Sequence, residues 1–342
     1  MNIESIAQQI HHHWQEQGSL ETPRLLAHGE SNLIFRLGED RLMRVAVTTP
    51  NQRFAGDPQR VTAFESAILH YLAGTGISHQ LLGSQLSPTP ELPYTYLITN
   101  FLEGESLNYR RDHLAKAAQT LACLHRLPSV HTLVPPLQPI DEPLTLFLRE
   151  SQRYAQPYLK DPKADPDIVE MLQIVLMQAR RLQKQETDLQ RDPYVCLVHG
   201  DHTHDNWLIN SQQAHLIDWE WAELSTPAAD LGHFLSPVTI HRYHHYQLPV
   251  EDREFFLNHY WQALDHEPLR QTLQNHWRVF GAFPAIRSLC WTAGQWTKGD
   301  PWYSQAGDAS SQVRLARQQA SHQHFSRLWE GVMQWIEEVS GL

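Results

Sequence analysis

The chain has 342 residues, 41% hydrophobic and 19% charged, the balance of a soluble globular protein too long for one small core. Its 38 acidic against 27 basic side chains give a formal charge of -11, which argues against sequence-independent nucleic-acid binding, since that needs a basic face. Cys123, Cys196 and Cys290 stand far apart, so neither a disulfide framework nor a structural zinc site is expected and a reducing cytoplasm is. No signal pattern opens the chain and no apolar run nears the ~20 residues of a membrane span, so no membrane partner is expected.

Residues 3–17 read as a leading helix. Short strands follow at 24–27, 33–37 and 42–47, the second alternating apolar and polar positions as a half-buried strand does. Gly38-Glu39-Asp40 makes the turn between the second and third. Residues 59–73 carry Val61, Phe64, Ile68, Leu69 and Leu72 at helical spacing, and Gly74-Thr75-Gly76 stops that helix. Two more strands are expected at 81–86 and 94–99. After Glu103-Gly104 the pattern turns mainly helical, with helices at 114–127, 145–154 and 167–184, short strands between 195 and 218, and helix again beyond Pro227. The proline-bearing stretch 128–143 reads as a long loop inside the second part. The fold class is therefore α+β: a small antiparallel-sheet lobe over residues 1–102 and a larger helical lobe over 103–342.

The 22 histidines include dense runs at His11-His12-His13 and from His241 to His245, but neither follows a helix-based ligand motif, and both read as surface or packing residues. The tryptophans and tyrosine of the second part (Trp261, Trp277, Trp291, Trp296, Trp302 and Tyr303) read mainly as core, with residues 287–302 as the best candidate for a small-molecule pocket through Arg287, Trp291, Gln295, Trp296 and Asp300.

The segment Leu197-Val198-His199-Gly200-Asp201-His202-Thr203-His204-Asp205-Asn206 carries the strongest chemical signal. It offers a carboxylate, Asp201, and five residues on a carboxamide, Asn206; an apolar strand then delivers Asp218 in Ile217-Asp218-Trp219-Glu220. Such oxygen ligands suit a magnesium-bound phosphate, with one carboxylate left to orient an attacking hydroxyl.

The spacing H-G-D-x-x-x-x-N resembles the catalytic loop of the aminoglycoside phosphotransferase and choline kinase family, which shares the bilobal protein-kinase-like fold. On that resemblance Asp201 is the catalytic base, Asn206 and Asp218 hold Mg2+, and His199, Glu220 and Asp230 support the loop. Gly29-Glu30-Ser31-Asn32 resembles the family's phosphate-covering turn, with Ser31 and Asn32 facing nucleotide. Arg44 stands where relatives place a phosphate-binding lysine, Glu65 matches its partner on the next helix, and backbone groups of Asn100 and Leu102 match the hinge that meets adenine. Many relatives read Leu directly after the aspartate; here His202 stands there, and it either touches substrate or packs. The activity implied is transfer of the γ-phosphate of ATP to a small-molecule hydroxyl, on an amino alcohol such as choline, an amino sugar or an aminoglycoside. A non-catalytic nucleotide-binding regulator is the alternative, and a protein kinase a lesser one, since D-F-G and A-P-E are absent. Oligomeric state is not legible in the sequence.

Overall fold

The computed structural model describes residues 3–16, 22–29, 31–128, 134, 137–244, 247–298 and 309–341. Helix α1 (Ile3–Glu16) leads into strands β1 (Arg24–His28), β2 (Asn32–Leu37) and β3 (Arg41–Ala46), then helix α2 (Pro58–Tyr71) and strands β4 (Leu81–Gln85) and β5 (Thr95–Asn100). These form one five-stranded antiparallel sheet in the order β1-β2-β3-β5-β4. Period-two alternation divides its faces. Leu33, Phe35 and Leu37 of β2, with Met43 and Val45 of β3, pack against Ile3, Ile6, Ile10 and Trp14 of α1. Helix α2 covers the opposite side, where Asp57 caps it by accepting from the Gln59 N–H and Pro58 occupies its first turn.

The rest is mainly helical: α3 (Arg111–His125), α4 (Pro143–Leu159), α5 (Pro166–Gln183), α6 (Glu186–Arg191), α7 (Ala228–Phe234), α8 (Pro237–His244), α9 (Val250–Ala263), α10 (Glu267–Phe280), α11 (Phe283–Gln295), α12 (Ala309–Gln323) and α13 (Phe325–Ser340). Two short antiparallel ladders interrupt it, β6 (Cys196–Val198) with β9 (Glu223–Ser225) and β7 (Trp207–Ile209) with β8 (Ala214–Leu216). A continuous core joins these helices to α2 through Phe64, Ile68, Leu121, Trp207 and Phe234. The mixed α+β architecture agrees with the sequence reading. Helix α4 outruns its expected end at residue 154, continuing through Pro157, whose missing N–H removes a single bond close to the helix end. Part of the expected loop at 128–143 lies outside the described residues, while Val134 and Leu137 are buried in the core. Among the described residues no helix is long and apolar enough to cross a membrane.

Candidate active site

Arg44 is delivered by strand parity. Met43 and Val45 take the α1 face, so Arg44 between them takes the other, beside Ile34 of β2 and Leu97 of β5. Its Nη1 lies 2.9 Å from Glu65 Oε1 on α2, and its Nη2 is paired with Asp218. Glu65 Oε1 also accepts the Trp219 backbone N–H at 2.9 Å. One buried carboxylate thus fixes both the cation on the sheet and the backbone just past Asp218. Asp218 itself has a left-handed conformation, φ 68°, which turns the chain sharply out of β8 into the short helical turn Trp219–Trp221.

The loop after β6 is held by a buried hub. Asp230, on α7, accepts the backbone N–H groups of His199 and Gly200 at 2.9 Å each. The same carboxylate lies 3.0 Å from His125 Nε2 and 2.8 Å from His202 Nε2. Burial acts to raise the Asp230 pKa, but the His202 and His125 imidazoles outweigh it and hold the carboxylate well below its usual range. Gly200 has φ +79°, and a Cβ there would come within 2.5 Å of the Trp221 carbonyl oxygen, so no larger residue fits this turn. His199 donates from Nε2 to the Ile217 carbonyl at 2.9 Å and accepts the Asp201 N–H at Nδ1, 3.3 Å away. It is thereby a strut between the loop that carries Asp201 and the strand that leads to Asp218. Burial pushes its pKa down to about 4, which keeps it neutral for that double role.

Asp201, Asn206 and Asp218 line one cavity of about 800 Å³ between the sheet and the helices, together with Arg44, Glu65 and Glu220. Asn206 Nδ2 donates to the Asp201 backbone carbonyl and to its carboxylate Oδ2, both at 2.9 Å. Both neighbours are acceptors, so the amide nitrogen is fixed and the amide oxygen is the atom left for a hard cation. Glu220 is buried; the Ser31 hydroxyl, at 3.3 Å, and the Thr49 hydroxyl, at 3.4 Å, donate to it. Asn32 opens β2 on the cavity wall.

Burial works to lower the Arg44 pKa, but Asp218, Glu65 and Glu220 outweigh it and keep the guanidinium charged. Burial lifts Glu65 to about 7, with Arg44 pulling it down and Asp218 pushing it up. Glu220 is raised well above the carboxylate range by burial, then by the charges of Asp218 and Glu65. Three carboxyl groups thus crowd one guanidinium, and the mutual repulsion that pushes Glu65 and Glu220 up is what a divalent cation bound by oxygen would relieve. Among the described residues no three of His, Cys, Asp and Glu converge as a ready-made metal cluster. The donor set on this wall suits Mg2+, which takes a few protein oxygens and completes its shell from phosphate and water.

Two of the expected residues, Asn100 and His202, do not line the cavity. The Asn100 N–H donates to the Gln80 carbonyl at 3.1 Å and its carbonyl accepts from His79 Nδ1 at 2.9 Å. Leu102 does line it, as does Phe101. His202 is fully buried with its ring against Asp230, His199 and Trp207, and it packs instead of meeting substrate. Arg287 and Trp291 of α11 line the far end of the cavity, but Arg287 is also tied to Glu150 at 3.1 Å and stacked over Phe147 at 4.1 Å. Of the aromatic set, Trp261 is buried, Trp277 packs on Trp335 and Trp296 on Tyr158 and Phe325. Asp300, Trp302, Tyr303, Glu30 and His245 lie outside the described residues. Sequence reasoning missed His79 and His233, both on the cavity wall. His233 was findable: it follows Asp230 by one helical turn on α7 and so shares its face.

Solved structures with this architecture cover nearly the whole chain. A choline/ethanolamine kinase family protein from Mesorhizobium loti matches with a TM-score of 0.58 and 17% identity, over 97% of this chain and 99% of that one. Plasmodium vivax ethanolamine kinase matches with a TM-score of 0.56 and 16% identity, over 90% and 84%. The ADP-bound aminoglycoside phosphotransferase APH(2'')-Ib matches with a TM-score of 0.54 and 14% identity, over 94% and 96%. At these identities the likeness establishes the fold. No curated protein matches the chain. The model of the phosphotransferase enzyme family matches residues 22–274, well over half the length, and spans the cation strand, the catalytic loop and Asp218 together; the chain belongs to the phosphotransferase enzyme family.

Proposed function

We propose that the protein is an ATP-dependent O-phosphotransferase acting on a hydroxyl of a small molecule, with residues 1–102 as the nucleotide lobe and 103–342 carrying the catalytic loop and acceptor site. The observation that carries this reading is the convergence of Arg44, Glu65, Asp201, Asn206 and Asp218 on one cavity wall. Ser31 and Asn32 lie at the phosphate end, Leu102 at the base end, and Arg44 steadies the phosphates in a fork that suits their oxygens. Asn206 and Asp218 would hold Mg2+, which when bound would supply charge compensation for the transferred phosphoryl group. Asp201 orients the acceptor hydroxyl in line and takes its proton late, so positioning and electrostatics do most of the work.

The structural neighbours described as choline/ethanolamine kinases and aminoglycoside phosphotransferases support amino alcohols, amino sugars and aminoglycosides as acceptors to test first. The reducing cytoplasm suggested by the separated free cysteines is the proposed location. The test is ADP release from ATP and MgCl2 over a panel of choline, ethanolamine, hexosamines, aminoglycosides, neutral sugars and hydroxy amino acids. Acceptor-stimulated ADP release that disappears in Asp201→Asn is the expected result. ATP binding with no transfer to any hydroxyl would instead favour a non-catalytic regulator.

A further inference from the structure

His233 lines the cavity beside Asp201, yet the mechanism above gives it no task. Its geometry fixes its protonation. The backbone N–H of His202 donates to His233 Nδ1 at 3.0 Å, so in the neutral ring the proton sits on Nε2. Burial lowers the His233 pKa well below its ordinary value, and the nearby His202 and Arg287 act in the same sense. The ring is therefore a neutral N–H donor whose side chain remains 10% exposed, on the cavity side. Nε2 lies 3.8 Å from Asp201 Oδ1, too far for a direct hydrogen bond. The gap is wide enough for one oxygen to reach both atoms.

We propose that His233 donates its Nε2–H to the acceptor's attacking oxygen, the same oxygen whose proton passes to Asp201. This rests on the kinase reading above. In the step the acceptor O–Pγ bond forms, the bond from Pγ to the bridging oxygen of ADP breaks with its electron pair leaving on ADP, and the hydroxyl proton goes to the Asp201 carboxylate. The His233 proton does not transfer. The attacking oxygen then uses its hydrogen toward Asp201, one lone pair toward phosphorus and the other toward His233. An alcohol meets all three demands. An ammonium has no lone pair, and a neutral amine has only the one that phosphorus takes, so this arrangement selects O- over N-phosphorylation. It also gives His202 a purpose without a side chain in the cavity, since its backbone N–H sets the His233 tautomer.

Two substitutions separate donor from strut. His233→Asn keeps an acceptor near the Nδ1 position for the His202 N–H and loses the donor at Nε2. His233→Gln places an amide N–H near Nε2 and gives up the Nδ1 contact. Transfer to the best acceptor of the panel is measured alongside the ATP dissociation constant by calorimetry with MgCl2 present. The proposal expects ATP affinity unchanged within about twofold in both variants. It expects acceptor kcat/KM down about 100-fold in His233→Asn, the scale of a lost positioning contact, and restored at least tenfold of that by His233→Gln. The reverse order, with His233→Asn active and His233→Gln impaired, assigns His233 a purely structural role and overturns the proposal, as does full activity in both. A wild-type protein that binds ATP and phosphorylates nothing defeats the kinase reading itself, a failure visible before any variant is made.

Discussion

At the scale of single residues the site rests on a division of labour among acids. Asp201 keeps a backbone and a carboxylate contact with Asn206, whereas Asp218 is paired with Arg44. Asp201→Asn should therefore lower kcat by about 100- to 10,000-fold, the range for removing a general base, while Tm and ATP affinity stay near wild type. Steady-state ADP release together with a melting curve checks both halves. Arg44→Ala should behave differently, because Glu65 and Asp218 would lose their shared cation inside a buried cluster. Breaking a buried pair from one side costs ~3–5 kcal/mol, so a fall in Tm should accompany a rise in the KM for ATP. A variant that raises KM without lowering Tm would show that the cluster does not depend on the guanidinium. The sequence made Asp201, Asn206, Asp218, Arg44 and Glu65 legible because their order and spacing are set by the chain itself. It left the final place of His202 unread, because that ring is held by Asp230 and Phe234 of α7, far off in sequence, and only the packed fold brings them together.

At the scale of elements, close backbone approaches hold in place the α11 side of the cavity, the proposed acceptor end. Helix α11 carries Arg287, Ser288, Trp291, Thr292 and Gln295 along the cavity wall. Its Gly294 lies so near α4 that a Cβ would come within 2.2 Å of the Tyr154 carbonyl oxygen, a backbone atom that cannot swing aside. Gly294→Ala must push the two helices apart. An overpacked contact of this kind costs ~1–3 kcal/mol, and the displacement would be passed to Trp291 and Arg287. The expected outcome is a lower Tm with acceptor KM raised more than ATP KM; equal loss for both substrates would mean that α11 does not shape the acceptor end. Elements whose signal is local were readable from the sequence, as in the alternation of β2 and the apolar spacing of α2. Their ends were less so: β1 runs to His28 and α4 to Leu159, because ladder partners and tertiary packing set those limits.

At the scale of the whole molecule, β9 adds a charged contact to the core that joins the sheet and the helical part. Glu223 on that strand lies 3.9 Å from Arg53, which follows β3, and feels Arg287 of α11 and Glu150 of α4. The Glu223 side chain is 13% exposed, and its Oε1 has no hydrogen-bond partner among the described residues. Burial raises its pKa from 4.5 to about 7; Arg287 and Arg53 pull it down, and Glu150 pushes with the burial. A carboxyl with a raised folded pKa binds its proton more tightly when folded than when unfolded. Its contribution to stability is therefore complete below the unfolded value of 4.5 and is lost as pH rises toward about 7. The span corresponds to about 3 kcal/mol at most. Glu223→Gln removes this linkage and keeps the shape. Relative to wild type the variant should gain stability as pH rises, with the difference in Tm more positive at pH 8 than at pH 5. Because Glu223 sits where the two parts meet, the same comparison reports on the joint: a difference in Tm that does not change with pH would show that Glu223 is charged throughout and that Arg53 and Arg287 fully compensate it.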